Sequence, residues 1–360
     1  MIGSSPHGMI NRKKILIFTP GGVGGAERMS VLIGKLLPKD RFDVKYVVIG
    51  RLRNIYNILP EGYDVDCIPV RSIYAFSTLR IWWKILTEKP DVVFTSQAAY
   101  NPRVIIASRL AGRKVVVRSS GMVKRYSKCK FREVKFTYPL ADKLIAQQED
   151  MREQIINLLN VCPDKIVTIH NPIDSYDIDM LASAGSPFSQ DASVNYVNVA
   201  SINPNKSQDI AIKALAVVRQ RLSNADLYLI GNYDENSDYY KRLIKLINRQ
   251  KLGDCVHFIG YDKNPYKWVK NANCFILSSK IEGFPNALIE ASYLGVPCVT
   301  TRCLKLMDDI IENGRNGYVV DVDDVDGMAQ AMIKASVIKE CKMIYKPGRA
   351  EDFVKLFESI

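Results

Sequence analysis

The feature that most constrains this chain is an alternation that stops and restarts once. Short apolar runs of strand length are separated by stretches whose apolar residues recur at helical spacing. Ile15–Phe18 is a strand by composition. Pro20 and the run Gly21, Gly22, Val23, Gly24, Gly25 break it, and Met29, Leu32, Ile33, Leu36 and Leu37 then follow a helical period. Val44–Ile49, Asp91–Thr95, Lys114–Arg118, Lys143–Ala146 and Lys165–Ile169 are further strands. Such alternation calls for a parallel sheet with helices on both faces. From Asn171 to Ser193 the rhythm lapses. Pro172, Gly185, Pro187 and small polar residues make this stretch a linker. Tyr196–Ala200, Asp226–Ile230, Val256–Ile259, Cys274–Leu277, Val296–Thr300 and Tyr318–Val320 resume it. The expected fold is α/β, with two doubly wound domains facing a cleft. The N-terminal domain is expected at 12–172, the linker at 173–193, the C-terminal domain at 194–346 and a last helix at 347–360. Phe353, Leu356 and Phe357 of that helix need a surface on either domain. Residues 1–11 read as a leader or tail, because Met9 is an equally good start.

Composition excludes other classes. With 47% hydrophobic and 24% charged residues, the chain is globular and not disordered. No apolar run reaches the roughly 18 residues of a spanning helix, and the N-terminus has no apolar core of an export signal. Eight cysteines without a C-x-x-C pair or a histidine cluster argue against a zinc site or a disulfide framework and fit a reducing compartment. The net charge of +12 is unevenly spread. Residues 1–175 carry 28 Lys+Arg against 15 Asp+Glu, and residues 176–360 carry 22 against 23. The first half therefore suits an anionic partner.

Ligands of doubly wound sheets sit beyond the carboxyl ends of the strands, and the cleft between two such domains is the expected site. The loop with Gly22, Gly24 and Gly25 opens a helix, where backbone can approach an anion closely. It is not a dinucleotide fingerprint. Glu27 stands where the third glycine belongs, and Ile49-Gly50-Arg51 ends the second strand without an acid for a ribose. No Gly-Lys-Ser/Thr follows, which excludes a P-loop. The most informative stretch runs from Ser278 to Ala291. A strand ends near Leu277, Glu282 lies on the following loop, Asn286 is an expected N-cap, and Glu290 lies one turn inside the helix. Gly295 and Pro297 end that helix. Amides from about Phe284 to Leu288 are expected to face a ligand such as a diphosphate.

This two-glutamate element resembles the E-x7-E signature of retaining glycosyltransferases of family 4, which have the GT-B fold of two Rossmann-like domains. The resemblance extends over most of the chain. Gly24-Gly25-Ala26-Glu27-Arg28, His170-Asn171-Pro172-Ile173-Asp174, Gly295-Val296-Pro297-Cys298-Val299 and Glu312-Asn313-Gly314-Arg315-Asn316-Gly317 follow the family's order and spacing. It implies that Glu290 binds the ribose of a sugar nucleotide. Glu282 would hold the donor sugar and stabilise charge at its anomeric carbon, and Lys206 would neutralise the leaving diphosphate. Gly283, Phe284, Pro285, Asn286, Ala287, Ser201 and Gly231 complete the implied donor contacts. No cofactor and no metal are implied; the donor is a nucleotide-diphosphate sugar, a UDP-sugar ahead of a GDP-sugar. The chain departs from the family where Ser201 replaces an arginine, where Ser119-Ser120 replaces a histidine, and where Cys303-Leu304-Lys305 replaces a loop that usually contains glycine.

Residues 113–135 hold nine basic side chains against Glu133, interleaved with Met122, Val123, Tyr126, Phe131, Val134 and Phe136. From Lys124 this reads as a basic amphipathic helix suited to an anionic membrane surface or to the diphosphate of a lipid-linked acceptor. Lys124, Arg125 and Lys128, with Gly22, Gly24 and Gly25, are the candidate acceptor and phosphate contacts. Trp82 and Trp83 lie in a similar basic setting, Arg80–Lys84, and are expected in the core. No nucleic-acid module is recognisable. The expected activity is transfer of a sugar to a lipid-linked glycan acceptor in polysaccharide, capsule or lipopolysaccharide synthesis. The expected location is cytoplasmic, peripheral at the inner face of the membrane. Two alternatives stand beside it: a sugar-nucleotide epimerase of the same fold, and a non-catalytic basic protein that binds membranes or nucleic acid. Isolated His257 is expected to pack, Tyr239-Tyr240 to lie on a helix, and Asp321–Asp326 to form a solvated loop.

Overall fold

A computed structural model describes residues 12–22, 24–50, 55, 58–59, 61–69, 77–188 and 193–360. The expected leader or tail at 1–11 lies outside the described residues, as does Val23. The chain forms two compact units. One runs to Pro172 and takes back Gly348–Ile360; the other is Ile173–Pro347.

In the first unit the order is β1 (Lys13–Pro20), α1 (Gly25–Leu36), β2 (Phe42–Ile49), β3 (Asp64–Ile68), α2 (Ser77–Glu88) and β4 (Val92–Thr95). It continues with α3 (Asn101–Leu110), β5 (Lys114–Arg118), α4 (Lys128–Thr137), β6 (Lys143–Ala146), α5 (Glu149–Leu159) and β7 (Ile166–Thr168). The strands form one parallel sheet, ordered β3-β2-β1-β4-β5-β6-β7. Ile15, Ile17, Val92, Phe94 and Val116 are fully buried, as strands covered on both faces require. Right-handed crossovers put α1 on one face and α2 to α5 on the other.

The second unit opens with α6 (Ser175–Ala182). It goes on through β8 (Val194–Val199), α7 (Gln208–Val218), β9 (Ala225–Ile230), α8 (Asp238–Gln250), β10 (Val256–Gly260), α9 (Tyr266–Lys270) and β11 (Cys274–Leu277). After these come α10 (Asn286–Tyr293), β12 (Cys298–Thr301), α11 (Met307–Ile310), β13 (Gly317–Val320) and α12 (Val325–Ala335). Its parallel sheet is ordered β10-β9-β8-β11-β12-β13. The last helix, α13 (Ala350–Glu358), returns to the first unit. Phe353 and Phe357 are fully buried there among Ile15, Ile17 and Phe94, with the Phe357 and Phe94 rings 5.7 Å apart and edge-on.

Several sequence expectations need correction. The linker expected at 173–193 contains α6. The Asp174 side chain caps this helix at the Asp177 N–H, Ile178 and Ala182 bury one side of it, and Leu181 O accepts from Asn264 Nδ2 at 2.8 Å. Strand β3 escaped the reading because Asp64 and Asp66 interrupt its apolar pattern. Trp83 is 64% exposed and not in the core, whereas Trp82 is half-buried. The helix expected from Lys124 starts at Lys128. Tyr126 is extended, and Ser127 caps the helix by accepting from the Lys130 N–H at 3.3 Å. Only Asp321–Asp324 is loop; Asp324 caps α12 through the Gly327 N–H at 2.8 Å. Tyr239 donates to Asp209 Oδ1 at 3.0 Å, Tyr240 stacks on Tyr233, and His257 stacks on Tyr228.

Candidate active site

The second unit's sheet reverses its order between β8 and β11, so the segments leaving these strands diverge and open a crevice beyond their carboxyl ends. Those two segments are bonded to each other. The Lys280 and Ile281 N–H groups donate to Asn205 O at 2.9 and 3.3 Å, and Ser278 Oγ donates to Lys206 O at 3.0 Å. Ser207, which precedes α7, is fully buried in the left-handed region at φ 48°. That conformation is costly for a residue with a Cβ and is held here by its surroundings, including an Oγ bond to Pro204 O at 3.1 Å.

This frame brings Lys206 and Glu282 together. Lys206 Nζ lies 2.6 Å from Glu282 Oε1, and Ser279 Oγ donates to the same oxygen at 2.6 Å. Glu282 is 7% exposed, and the Lys206 side chain 24%. A carboxylate so buried needs a cation and hydrogen bonds, and it has both. Ser279 and Asn205 were not singled out from sequence. The turn-rich Asn203-Pro204-Asn205 before the lysine is the signal that could have drawn attention to the second of them.

Asn286 does not cap α10. Pro285 occupies the N-cap position at φ −88° and ψ 62°, an inverse γ-turn in which the Asn286 N–H donates to Phe284 O at 3.0 Å. The Leu288 N–H donates to Pro285 O at 3.1 Å. The expected row of amides from Phe284 to Leu288 is therefore shorter. Pro285 has no N–H, two of the others are used within the turn, and Gly283, Phe284 and Ala287 remain without a hydrogen-bond acceptor among the described residues. Phe284 and Pro285 anchor the loop by burial, whereas Asn286, Ala287 and Glu290 are half-exposed along one side of α10. Gly231, at φ 154°, directly follows β9, where a Cβ would lie 2.1 Å from Ala200 O, so strand contact alone demands glycine there. Ser201 is exposed, and its Oγ meets Asn203 Nδ2 at 3.0 Å.

The first unit has the same reversal, between β1 and β4. Its glycine loop is already covered by a carboxylate. A Cβ on Gly24 would meet Glu27 Oε2 at 2.7 Å, and one on Gly22 would meet Oε1 at 3.2 Å. Gln97 Nε2, after β4, donates to Glu27 Oε1 at 3.1 Å. Gly24 is the N-cap of α1, and Gly25 its first residue. A phosphate at this loop would have to displace Glu27. Lys124 and Arg125, on a short 3-10 turn, and Lys128 at the start of α4 are exposed beyond β5. Arg118, part of the basic run, is instead fully buried. Burial pulls its guanidinium down to about 9, and Nη2 donates to Asn171 Oδ1. Among the described residues no group of His, Cys, Asp or Glu is arranged to hold a metal ion, and no helix is long and apolar enough to cross a membrane.

Comparison with known proteins agrees with this architecture. Residues 23–177 match the family Glycosyltransferase Family 4, and residues 188–355 match Glycosyl transferases group 1. An uncharacterized glycosyltransferase of Methanocaldococcus jannaschii is 30% identical over 49% of this chain and 44% of its own length, so the match spans less than half of that relative. The N-acetylgalactosamine-N,N'-diacetylbacillosaminyl-diphospho-undecaprenol 4-alpha-N-acetylgalactosaminyltransferase of Campylobacter jejuni is 23% identical over 94% of each chain. The structure of Anabaena HepE in complex with UDP-glucose superposes with a TM-score of 0.74 at 19% identity, covering 96% of this chain and 94% of that one. The two parallel-sheet units are those of the GT-B fold. The chain belongs to the family-4-like glycosyltransferases and is a glycosyltransferase.

Proposed function

We propose that the protein moves a sugar, with retention, from a nucleotide-diphosphate sugar to a lipid-linked glycan acceptor. The observation that carries this reading is the Lys206–Glu282 pair at 2.6 Å, placed at the strand-order reversal of the second sheet. In this reading a donor diphosphate draws Lys206 toward itself, assisted by the N–H groups of Gly283, Phe284 and Ala287. Glu282 keeps Ser279 and gains the donor-sugar hydroxyls, so its charge stays hydrogen-bonded while positive charge develops at the anomeric carbon. Glu290 binds the ribose. Lysine and amides meet the phosphate charge without a metal ion, so transfer is expected to persist in EDTA. A UDP-sugar is favoured because the HepE structures hold UDP and UDP-glucose. A polyprenyl-diphosphate acceptor is favoured because the Campylobacter relative and an Escherichia coli galactosyltransferase are named for diphosphoundecaprenol substrates. We place the enzyme peripherally at the inner face of the membrane, with the acceptor on the basic first unit.

Thermal melting against UDP, GDP, ADP and CMP tests the donor half. A nucleotide at 100 times its dissociation constant adds about 2.7 kcal/mol, a clear shift. Glu290→Ala should lose most of that shift; an unchanged shift rules out the ribose assignment. A change in the sugar nucleotide's configuration with no transfer to any acceptor would favour the epimerase alternative.

A further inference from the structure

The outer surface of α2, α3 and α4 has a composition that sugar transfer does not account for. Among the described residues, every exposed large apolar side chain of the first unit lies on this one layer. They are Leu79 and Trp83 on α2, Ile106 and Leu110 on α3, Phe136 on α4 and Leu140 just after it, from 37% to 76% exposed. Each helix pair follows the helical repeat. Leu79 and Trp83 are four residues apart, opposite buried Ile81 and Ile85, and Ile106 and Leu110 are four apart, opposite Val104 and Ile105. The three helices are neighbours on one face of the sheet. α3 joins α4 through Arg103 and Glu133, and Arg109 Nε donates to Leu140 O. The opposite face is closed by α1 and by α13 with its buried phenylalanines.

The charges on this layer that are not in ion pairs among the described residues have one sign. Its acids are already paired: Glu88 with Lys14, Lys45 and Lys84, Glu133 with Arg103 and Lys130, Asp142 with Arg109 and Lys114. Arg80, Arg132 and Lys135 are exposed beside the apolar residues and make no ion pair among the described residues. Aromatic and aliphatic side chains beside unpaired cations complement a bilayer surface with anionic headgroups, where tryptophan sits at the interface and lysine or arginine meets phosphate.

We propose that the α2–α3–α4 layer is the membrane-docking face, and that it inserts Trp83, Leu110 and Phe136 into the headgroup region of an anionic leaflet. This deepens the peripheral-membrane part of the proposed function, on which it rests. It also moves the docking surface from the Lys124 turn to the back of the first sheet.

Vesicles of phosphatidylcholine alone, and of phosphatidylcholine with phosphatidylglycerol, test it with the full chain. Binding is expected only with phosphatidylglycerol, weakening as salt rises. Trp83 emission should shift to the blue and be quenched by brominated acyl chains, and both signals should vanish in Trp83→Phe. Arg132→Gln with Lys135→Gln should lose roughly fivefold in partitioning per cation removed. Trp83→Ser with Phe136→Ser should lose about tenfold or more, with melting temperature and transfer to a detergent-dispersed acceptor unchanged. Equal binding of wild type and both variants, or unquenched Trp83 on bound protein, overturns the proposal. Salt-sensitive self-association in place of vesicle binding would assign the face to a second copy and also overturn it. Transfer without vesicle binding removes the docking face and leaves the sugar-transfer reading intact. Vesicle binding without transfer does the reverse.

Discussion

The two sheets share one topology, and each places a carboxylate at its strand-order reversal, yet the two carboxylates are held differently. In the second unit Glu282 is buried against Lys206 and Ser279. In the first unit Glu27 folds over its own glycine loop, at the start of α1, and accepts a hydrogen bond from the neutral amide of Gln97. A carboxylate paired with a lysine can release that lysine to an incoming anion if other donors take its place. A carboxylate lying on a helix N-terminus already occupies the position an anion would take. On the proposed reading, the second unit exchanges an anionic ligand and the first receives hydroxyl groups. The shared strand-order reversal supplies the crevice; the local charge decides its chemistry.

The largest effect should come from removing the cation on which this contrast rests. Lys206→Ala leaves Glu282 buried without its ion pair and withdraws the charge proposed to meet the leaving diphosphate. Losing one preorganised electrostatic group typically costs about 10²–10³ in kcat. Steady-state transfer should fall by that much, and the melting temperature should fall as well. Glu282→Gln should lose comparable turnover while retaining nucleotide affinity. If Lys206→Ala retains kcat, the difference drawn between the two edges collapses.

A glycine substitution in each unit sharpens the same comparison. A Cβ at Gly231 would meet the Ala200 carbonyl at 2.1 Å, and backbone cannot step aside. A Cβ at Gly24 would meet Glu27 Oε2 at 2.7 Å, the far end of a flexible side chain. Gly231→Ala should therefore cost roughly 3 kcal/mol or more, because a special backbone position and a packed contact are both violated. Gly24→Ala should leave stability within about 1 kcal/mol while expelling the Glu27 carboxylate. Chemical denaturation of both variants reads the difference directly. Equal losses would mean that the Glu27 position is as rigid as the strand edge.

How much of this was legible in the sequence depends on whether the information is local. Of the thirteen strands among the described residues, twelve were expected, where apolar runs sit between glycine and proline breaks, as at Val92–Thr95 and Cys274–Leu277. The miss at Asp64–Ile68 is an edge strand with two acids, one of which, Asp66, pairs with Lys45 and Lys84. Helix α6 was hidden because only Ile178 and Ala182 of its residues are buried, too few to impose a period. Val194–Val199 was legible and its consequence was not: nothing in the residue order says that Lys206 will reach an oxygen seventy-six positions later. The expected cap at Asn286 failed because Pro285 builds a γ-turn that consumes the amide. Sequence pattern thus located the loops at the sheet edges, whereas the pairings among their side chains needed the fold.

Glu27→Gln tests the first unit's half of the contrast most gently. The amide is close to the carboxylate in shape and can still accept from Gln97 Nε2, so loop geometry should be preserved and the melting temperature should change little. What is lost is the negative charge at the N-terminus of α1. If that charge selects hydroxyl-bearing acceptors and repels phosphate, the variant should raise the acceptor KM about tenfold, near the value of one charge-assisted hydrogen bond. The donor KM should stay unchanged, since the donor is assigned to the other unit. Inorganic phosphate should compete with the acceptor more strongly than it does in the wild type, because the helix end no longer carries its own anion. An acceptor KM that stays fixed, with no gain in phosphate competition, would show that Glu27 only shapes its loop. The first unit would then take its acceptor through the exposed Lys124, Arg125 and Lys128, and both sheet edges would be sites for anions.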